Sequence, residues 1–202
     1  DESLGAMMEP FAVALHAVKR AGSVSGRRVL VTGAGAIGLL AAITARAFGG
    51  APVAISDLVP ARREKAAELG IDAILDPSVA DFSGLARELS GDGFDFIFEA
   101  SGAPPALRSA FDLVRPGGTI VQIGTLGAAD IPLPANKLMN KEINLIGSMR
   151  YGNVFDEAIR LVAAGRVDLR PLVNGIFPLQ ESVKAFEFAA DKARSFKVQI
   201  QI

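Results

Sequence analysis

The chain has 202 residues, half of them hydrophobic and 21% charged, which excludes a disordered acidic or basic tail. Its 21 Lys and Arg against 22 Asp and Glu leave a formal charge of −1, with no electrostatic footprint for nucleic acid. There is no cysteine, so no disulfide framework or Cys-built zinc site, and one histidine, His16, leaves little for a His cluster or a Ser-His-Asp triad.

The chain begins Asp1-Glu2-Ser3, without a basic signal region or an initiating methionine, which suits a fragment or a processed product. The longest apolar run, 34–45, falls short of the ~18–20 residues of a membrane span. Gly35, Gly38 and Thr44 also interrupt it. No membrane partner is expected, and a cytoplasmic setting fits best.

Residues 1–26 predict one linker helix, with Pro10 in its first turn, Phe11, Leu15 and Val18 on its apolar face, and Gly22 beyond its end. A βα rhythm starts at residue 27. Strands are predicted at 28–32, 52–57, 73–75, 94–98, 118–124 and 143–148, and helices at 37–48, 60–69, 82–89 and 104–114. Mostly apolar strands alternating with helices of this length indicate an α/β fold: a doubly wound, parallel, six-stranded Rossmann-type sheet spanning 27–150. Residues 151–202 add amphipathic helices at 154–164 and 179–191, then a terminal strand, 196–202, alternating apolar and polar residues. The parallel core offers that strand no evident partner.

The 21 glycines, above ordinary usage, carry the functional signal. Val29-Leu-Val-Thr-Gly33-Ala-Gly35-Ala-Ile-Gly38 is a G-x-G-x-x-G turn between a predicted strand and helix, the context a dinucleotide site requires. Gly33 permits the sharp turn, Gly35 lets backbone approach a pyrophosphate, and Gly38 lets helix and strand pack closely. The amides of Ala36, Ile37 and Gly38, at a helix N-terminus, then face the phosphates. Asp57 follows at the end of the next strand, where a carboxylate accepts hydrogen bonds from ribose hydroxyls and repels a 2′-phosphate. NAD is therefore expected over NADP. Arg62 and Arg63 lie just beyond, able to stack on adenine or neutralise a phosphate, or simply to form a solvated face. Ser101 and Gly102, then Ile123 and Gly124, sit at the carboxyl ends of later strands, where ligands of open α/β sheets bind.

Several mechanisms are excluded. The only tyrosine, Tyr151, is followed four residues later by Phe155, not the lysine of a short-chain dehydrogenase. Thr32 stands where a methyltransferase usually carries an acidic residue, and Gly38-Leu39 fails the P-loop pattern. A nicotinamide-dependent oxidoreductase remains, beside a cofactor-binding module without catalysis.

The order Met8-Glu9-Pro10, glycine turn, Asp57, Arg115-Pro-Gly-Gly118 and Gly147-Ser-Met-Arg-Tyr151 resembles the C-terminal part of zinc-dependent medium-chain alcohol dehydrogenases. It is most similar to their sorbitol (polyol) group and, within it, to the L-idonate 5-dehydrogenase branch. The resemblance implies an N-terminal catalytic domain outside these residues and a final segment that returns to it. It implies oxidation of a secondary hydroxyl of a polyol or sugar acid by NAD, with zinc held in the intact enzyme rather than by this chain alone. By the same resemblance Glu9 is placed at or near zinc, as a ligand or through the metal's water. Its position early in a helix would equally suit the positive end of the helix dipole. Arg150 and Tyr151 would line the substrate site, and Gly147, Ser148 and Met149 would flank the nicotinamide half. His16 reads as a structural histidine. The strand at 143–149 would pair with its counterpart in a second copy, giving a homodimer or homotetramer.

Overall fold

A computed structural model describes residues 2–202; Asp1 lies outside the described residues. The elements run α1 (Glu2–Ala21), β1 (Val29–Thr32), α2 (Ala36–Ala47), β2 (Val53–Ser56), α3 (Pro60–Glu68), β3 (Ala73–Leu75), α4 (Phe82–Ser90) and β4 (Phe94–Glu99). There follow α5 (Pro104–Leu113), β5 (Val114–Gln122), α6 (Ala135–Asn140), β6 (Asn144–Gly147), α7 (Phe155–Ala163), β7 (Val173–Pro178), α8 (Ser182–Ala190) and β8 (Lys197–Gln201). The first six strands form one parallel sheet in the order β3-β2-β1-β4-β5-β6. This is the doubly wound α/β architecture the apolar strands predict, with its crevice where the order reverses, between β1 and β4.

Side chains alternate across the sheet and build a core on each face. Val29 and Val31 of β1 join α1, α2 and Phe98 on one side, whereas Leu30 joins Ile97, Ile120 and α5 on the other. All four residues of β1 and of β2 are buried.

Four expectations are corrected. The first helix begins at Glu2, so Pro10 lies in its interior, not its first turn, and Glu9 is mid-helix, away from the dipole's positive end. Buried packing of Met7, Met8 and Phe11 against the sheet outweighs the amide that proline removes. β5 begins at Val114 rather than Gly118, taking over where α5 stops. Helix α6 was not foreseen; six residues with none buried are too few to show a period. The terminal strand has a partner within the chain: β7 and β8 pair in parallel as a separate two-stranded sheet. In β7, Gly175 and Pro178 read as punctuation, but α8 supplies the crossover a parallel pair needs. Asn174 then closes the unit by accepting from the amides of Phe196 and Lys197.

At the end of the sheet opposite the crevice, Asp95 at the start of β4 is buried, accepting from Arg28 N at 2.9 Å and Arg115 Nε at 2.8 Å. Burial alone would raise its pKa; the hydrogen bonds and charges of Arg115 and Arg28 outweigh it and hold the carboxyl below the ordinary carboxylate value. A depressed folded-state pKa contributes stability that is present in full above the unfolded value and is lost as pH falls through the folded one. Asp95→Asn is expected to cost about 2–4 kcal/mol at pH 7, since the guanidinium groups of Arg27, Arg28 and Arg115 all lose a buried partner. Urea denaturation at pH 7 and at pH 3 checks it: the gap between variant and wild type narrows in acid.

Candidate functional site

The glycine turn forms as its spacing requires. Gly33 has φ +94°, and a Cβ there would lie 2.8 Å from the backbone of Ser101. A Cβ on Gly38 would lie 1.8 Å from the Gly33 carbonyl oxygen, so only glycine lets α2 pack on the turn. At Gly35 the opposite holds: a Cβ would meet only Arg62 Nη1, at 3.8 Å, so the backbone faces open space. Gly35 caps α2 without a side-chain hydrogen bond, leaving the first-turn amides of Ala36 and Ile37 for an incoming acceptor.

Asp57 sits just past β2, buried, and ties two loops together. Its Oδ2 accepts from the amide of Ala34 at 2.7 Å and its Oδ1 from that of Val59 at 2.8 Å. Arg62 Nη1 lies 3.6 Å from Oδ2, and its Nε donates to the carbonyl of Lys192 at 3.0 Å. Arg63 turns away to the carbonyls of Asp57 and Leu58 and to Asp76. Gly33, Gly35, Asp57, Arg62 and Ser101 thus border one cleft of about 480 Å³ at the carboxyl ends of β1, β2 and β4. Its far wall, Pro77, Phe82, Ala103, Pro105, Ala106 and Ser109, was missed by the sequence reading. These residues carry no motif; the sheet order alone brings the starts of α4 and α5 opposite Asp57.

A second cleft, of about 610 Å³, opens at the ends of β5 and β6. Ile123, Gly124, Gly147, Ser148 and Met149 line it together. His16, Arg20 and Gln122, which the sequence reading left out of the site, line it as well. Burial, aided by the charge of Arg20, holds the His16 imidazole below its ordinary pKa, so it is neutral at pH 7. The ring presses on Gly152, where a Cβ would come within 2.8 Å of Nδ1. Gly102, with φ +66°, shapes the turn beside these clefts; a Cβ there would lie 2.5 Å from the Thr125 carbonyl oxygen.

Of the sequence-derived candidates, Ala36, Ile37, Gly38 and Gly102 belong to the turns beside the clefts without lining either, and Arg150, Tyr151 and Glu9 border neither. Arg150 is exposed and has φ +53°. Tyr151 packs edge-on to Phe155, ring centroids 5.6 Å apart. Glu9 is exposed on α1. Among the described residues no group of three His, Asp or Glu side chains is placed to hold a metal ion. None of the described helices is long and apolar enough to cross a membrane.

Comparison with known proteins agrees with this geometry. The family model described as zinc-binding dehydrogenase matches residues 36–164. A putative D-xylulose reductase of Rhizobium meliloti (strain 1021) is 40% identical over 199 residues, 98% of this chain and 57% of its own. The L-idonate 5-dehydrogenase (NAD(P)(+)) of Escherichia coli K12 is 34% identical over 99% of this chain and 57% of its own. The crystal structure of L-idonate 5-dehydrogenase from that species superposes with a TM-score of 0.92 over 100% of this chain and 57% of the other. A short chain alcohol dehydrogenase from E. coli CFT073, complexed with NADH, superposes at 0.90 with 26% identity, over 97% of this chain and 58% of the other. The chain therefore spans a little over half the length of the relatives it matches.

Proposed function

Because the chain belongs to the zinc-binding dehydrogenase family, we propose that it is the dinucleotide-binding part of an NAD-dependent oxidoreductase acting on a secondary hydroxyl of a polyol or sugar acid. The observation that carries this reading is the Gly33–Gly38 turn beside the Asp57 carboxylate, at the border of a cleft of about 480 Å³. The residues fit the cofactor: the open face at Gly35 admits a pyrophosphate where a side chain would not. Bound, the dinucleotide supplies a nicotinamide carbon that accepts hydride from the substrate.

The chain's own residues bind and orient. Amides at the start of α2 face the pyrophosphate, and Asp57 accepts from the adenine ribose. Phe82 and Pro105 supply an apolar slot for the adenine, with Arg62 at its rim. The second cleft, lined by Ile123, Gly147, Ser148 and Met149, takes the nicotinamide half, and Arg150 and Tyr151 stand on the substrate side of the turn that follows. Glu9 belongs to no group of three His, Asp or Glu side chains among the described residues, so a zinc site that included it would draw further ligands from elsewhere in the intact enzyme.

Titration of the chain with NADH and NADPH by calorimetry tests the reading. NADH is expected to bind, and more tightly than NADPH; binding of neither would overturn it. The edge strand β6 has unpaired backbone on one side, and we propose that it joins a second copy there, burying an otherwise aggregation-prone edge. Sedimentation should then give a dimer or tetramer at micromolar concentration, and a monomer would contradict the pairing.

A further inference from the structure

Glu99 ends β4 with none of its surface exposed. Register sets Thr32 of β1 beside it on one flank and Gln122 of β5 on the other. Every atom that faces its carboxylate is a donor. The Ser101 amide reaches Oε1 at 2.9 Å, the Gly102 amide Oε1 at 3.1 Å, and Gln122 Nε2 Oε2 at 2.5 Å. The hydroxyls of Ser101 and Thr32 also point at it. Three of these groups are N–H donors that cannot accept a proton, and they complement a carboxylate anion. No Lys or Arg forms an ion pair with it among the described residues.

The structure therefore holds a buried negative charge, satisfied only by neutral donors, under the floor of the crevice. A Cβ on Gly124, which lines the second cleft, would lie 2.8 Å from Glu99 Oε2. Ser101, which the carboxylate holds from below, lines the first. Resting on the dinucleotide reading above, we propose that the Glu99 anion favours the oxidised, cationic nicotinamide over the reduced, neutral one. The phosphates and riboses are common to both forms, so their repulsion from Glu99 cancels in the ratio of affinities. Only the ring charge differs. A unit charge acting over about 10 Å at an effective dielectric of about 20 changes such a ratio roughly tenfold.

The test compares dissociation constants for NAD⁺ and NADH on the full chain, with melting curves confirming that each variant folds. Glu99→Gln should raise the NAD⁺ constant relative to that of NADH by roughly tenfold. Glu99→Asp, which keeps the charge, should preserve the wild-type ratio even where both affinities fall. If Glu99→Gln fails to fold because its amide opposes the Ser101 and Gly102 amides, Glu99→Met, which brings no donor, replaces it with the same expected shift. An unchanged ratio in the folded neutral variant overturns the inference while leaving the dinucleotide reading intact. Failure of the wild type to bind either form instead overturns the reading on which it rests.

Discussion

Alanine at Gly38 is expected to cost the chain about 2–4 kcal/mol of stability and more than tenfold in NADH affinity. The added Cβ would sit 1.8 Å from the carbonyl oxygen of Gly33, far inside contact distance, and both groups belong to backbone that cannot swing aside. Either α2 lifts from the sheet or the turn opens. Lifting α2 disturbs Leu39, Leu40 and Ala42, all buried in the core. Opening the turn moves the amides proposed to face the pyrophosphate, and a displacement of that size would lose the geometry that such binding depends on. For a domain of about 200 residues, a loss of about 3 kcal/mol lowers the melting temperature by roughly 6–12 °C. Gly35→Ala is the contrast: its Cβ meets only Arg62 Nη1 at 3.8 Å, so stability should change by under about 1 kcal/mol. Its NADH affinity should still fall, because the methyl occupies the approach to the pyrophosphate. Melting curves and NADH titrations of the two variants together separate packing from binding.

Asp57→Ala is expected to reverse the choice of cofactor. In the function proposed above the carboxylate accepts from the adenine ribose, and it also engages Arg62 at 3.6 Å. Removing it takes away the hydrogen bonds that favour NADH and frees a guanidinium that a 2′-phosphate can use. NADH should weaken at least tenfold while NADPH holds or tightens, a shift in ratio worth about 1.4 kcal/mol or more. The same change orphans the buried amide of Ala34, so overall stability should drop by about 1–3 kcal/mol. Asp57→Asn keeps one acceptor oxygen and should fall between the two. Paired titrations with NADH and NADPH read the outcome directly; an unchanged preference would remove Asp57 from the role.

The sheet was legible because each of its strands is a short apolar run, and period and spacing report that kind of burial directly. The glycine turn and Asp57 were legible for a different reason: one local geometry dictates glycine at fixed steps, and the next strand's length fixes the distance to the acid. Glu99 was not. It ends a run, Phe94-Asp-Phe-Ile-Phe-Glu99, in which nothing marks it from a solvent-facing acid. Two of its five donors, Thr32 and Gln122, come only from the register of strands adjacent in space but distant in sequence, and the other three from the turn at Ser101 and Gly102. The far wall of the first cleft was hidden for the same reason. Pro10 misled because its cost in a helix interior is a local quantity, overridden by the burial of its neighbours Met8 and Phe11. The pairing of β7 with β8 was missed because Asn174-Gly175 punctuates the strand, although Gly175 is what lets the Phe188 ring approach within 3.0 Å of its Cβ position.

A crystal structure of this chain grown with NADH tests the central claim most directly. The pyrophosphate should lie against the Gly33–Gly38 turn, with the adenine ribose hydroxyls within hydrogen-bond distance of Asp57 and the nicotinamide ring beside Gly124 and Gly147. Dinucleotide density anywhere else, with that turn empty, would contradict it.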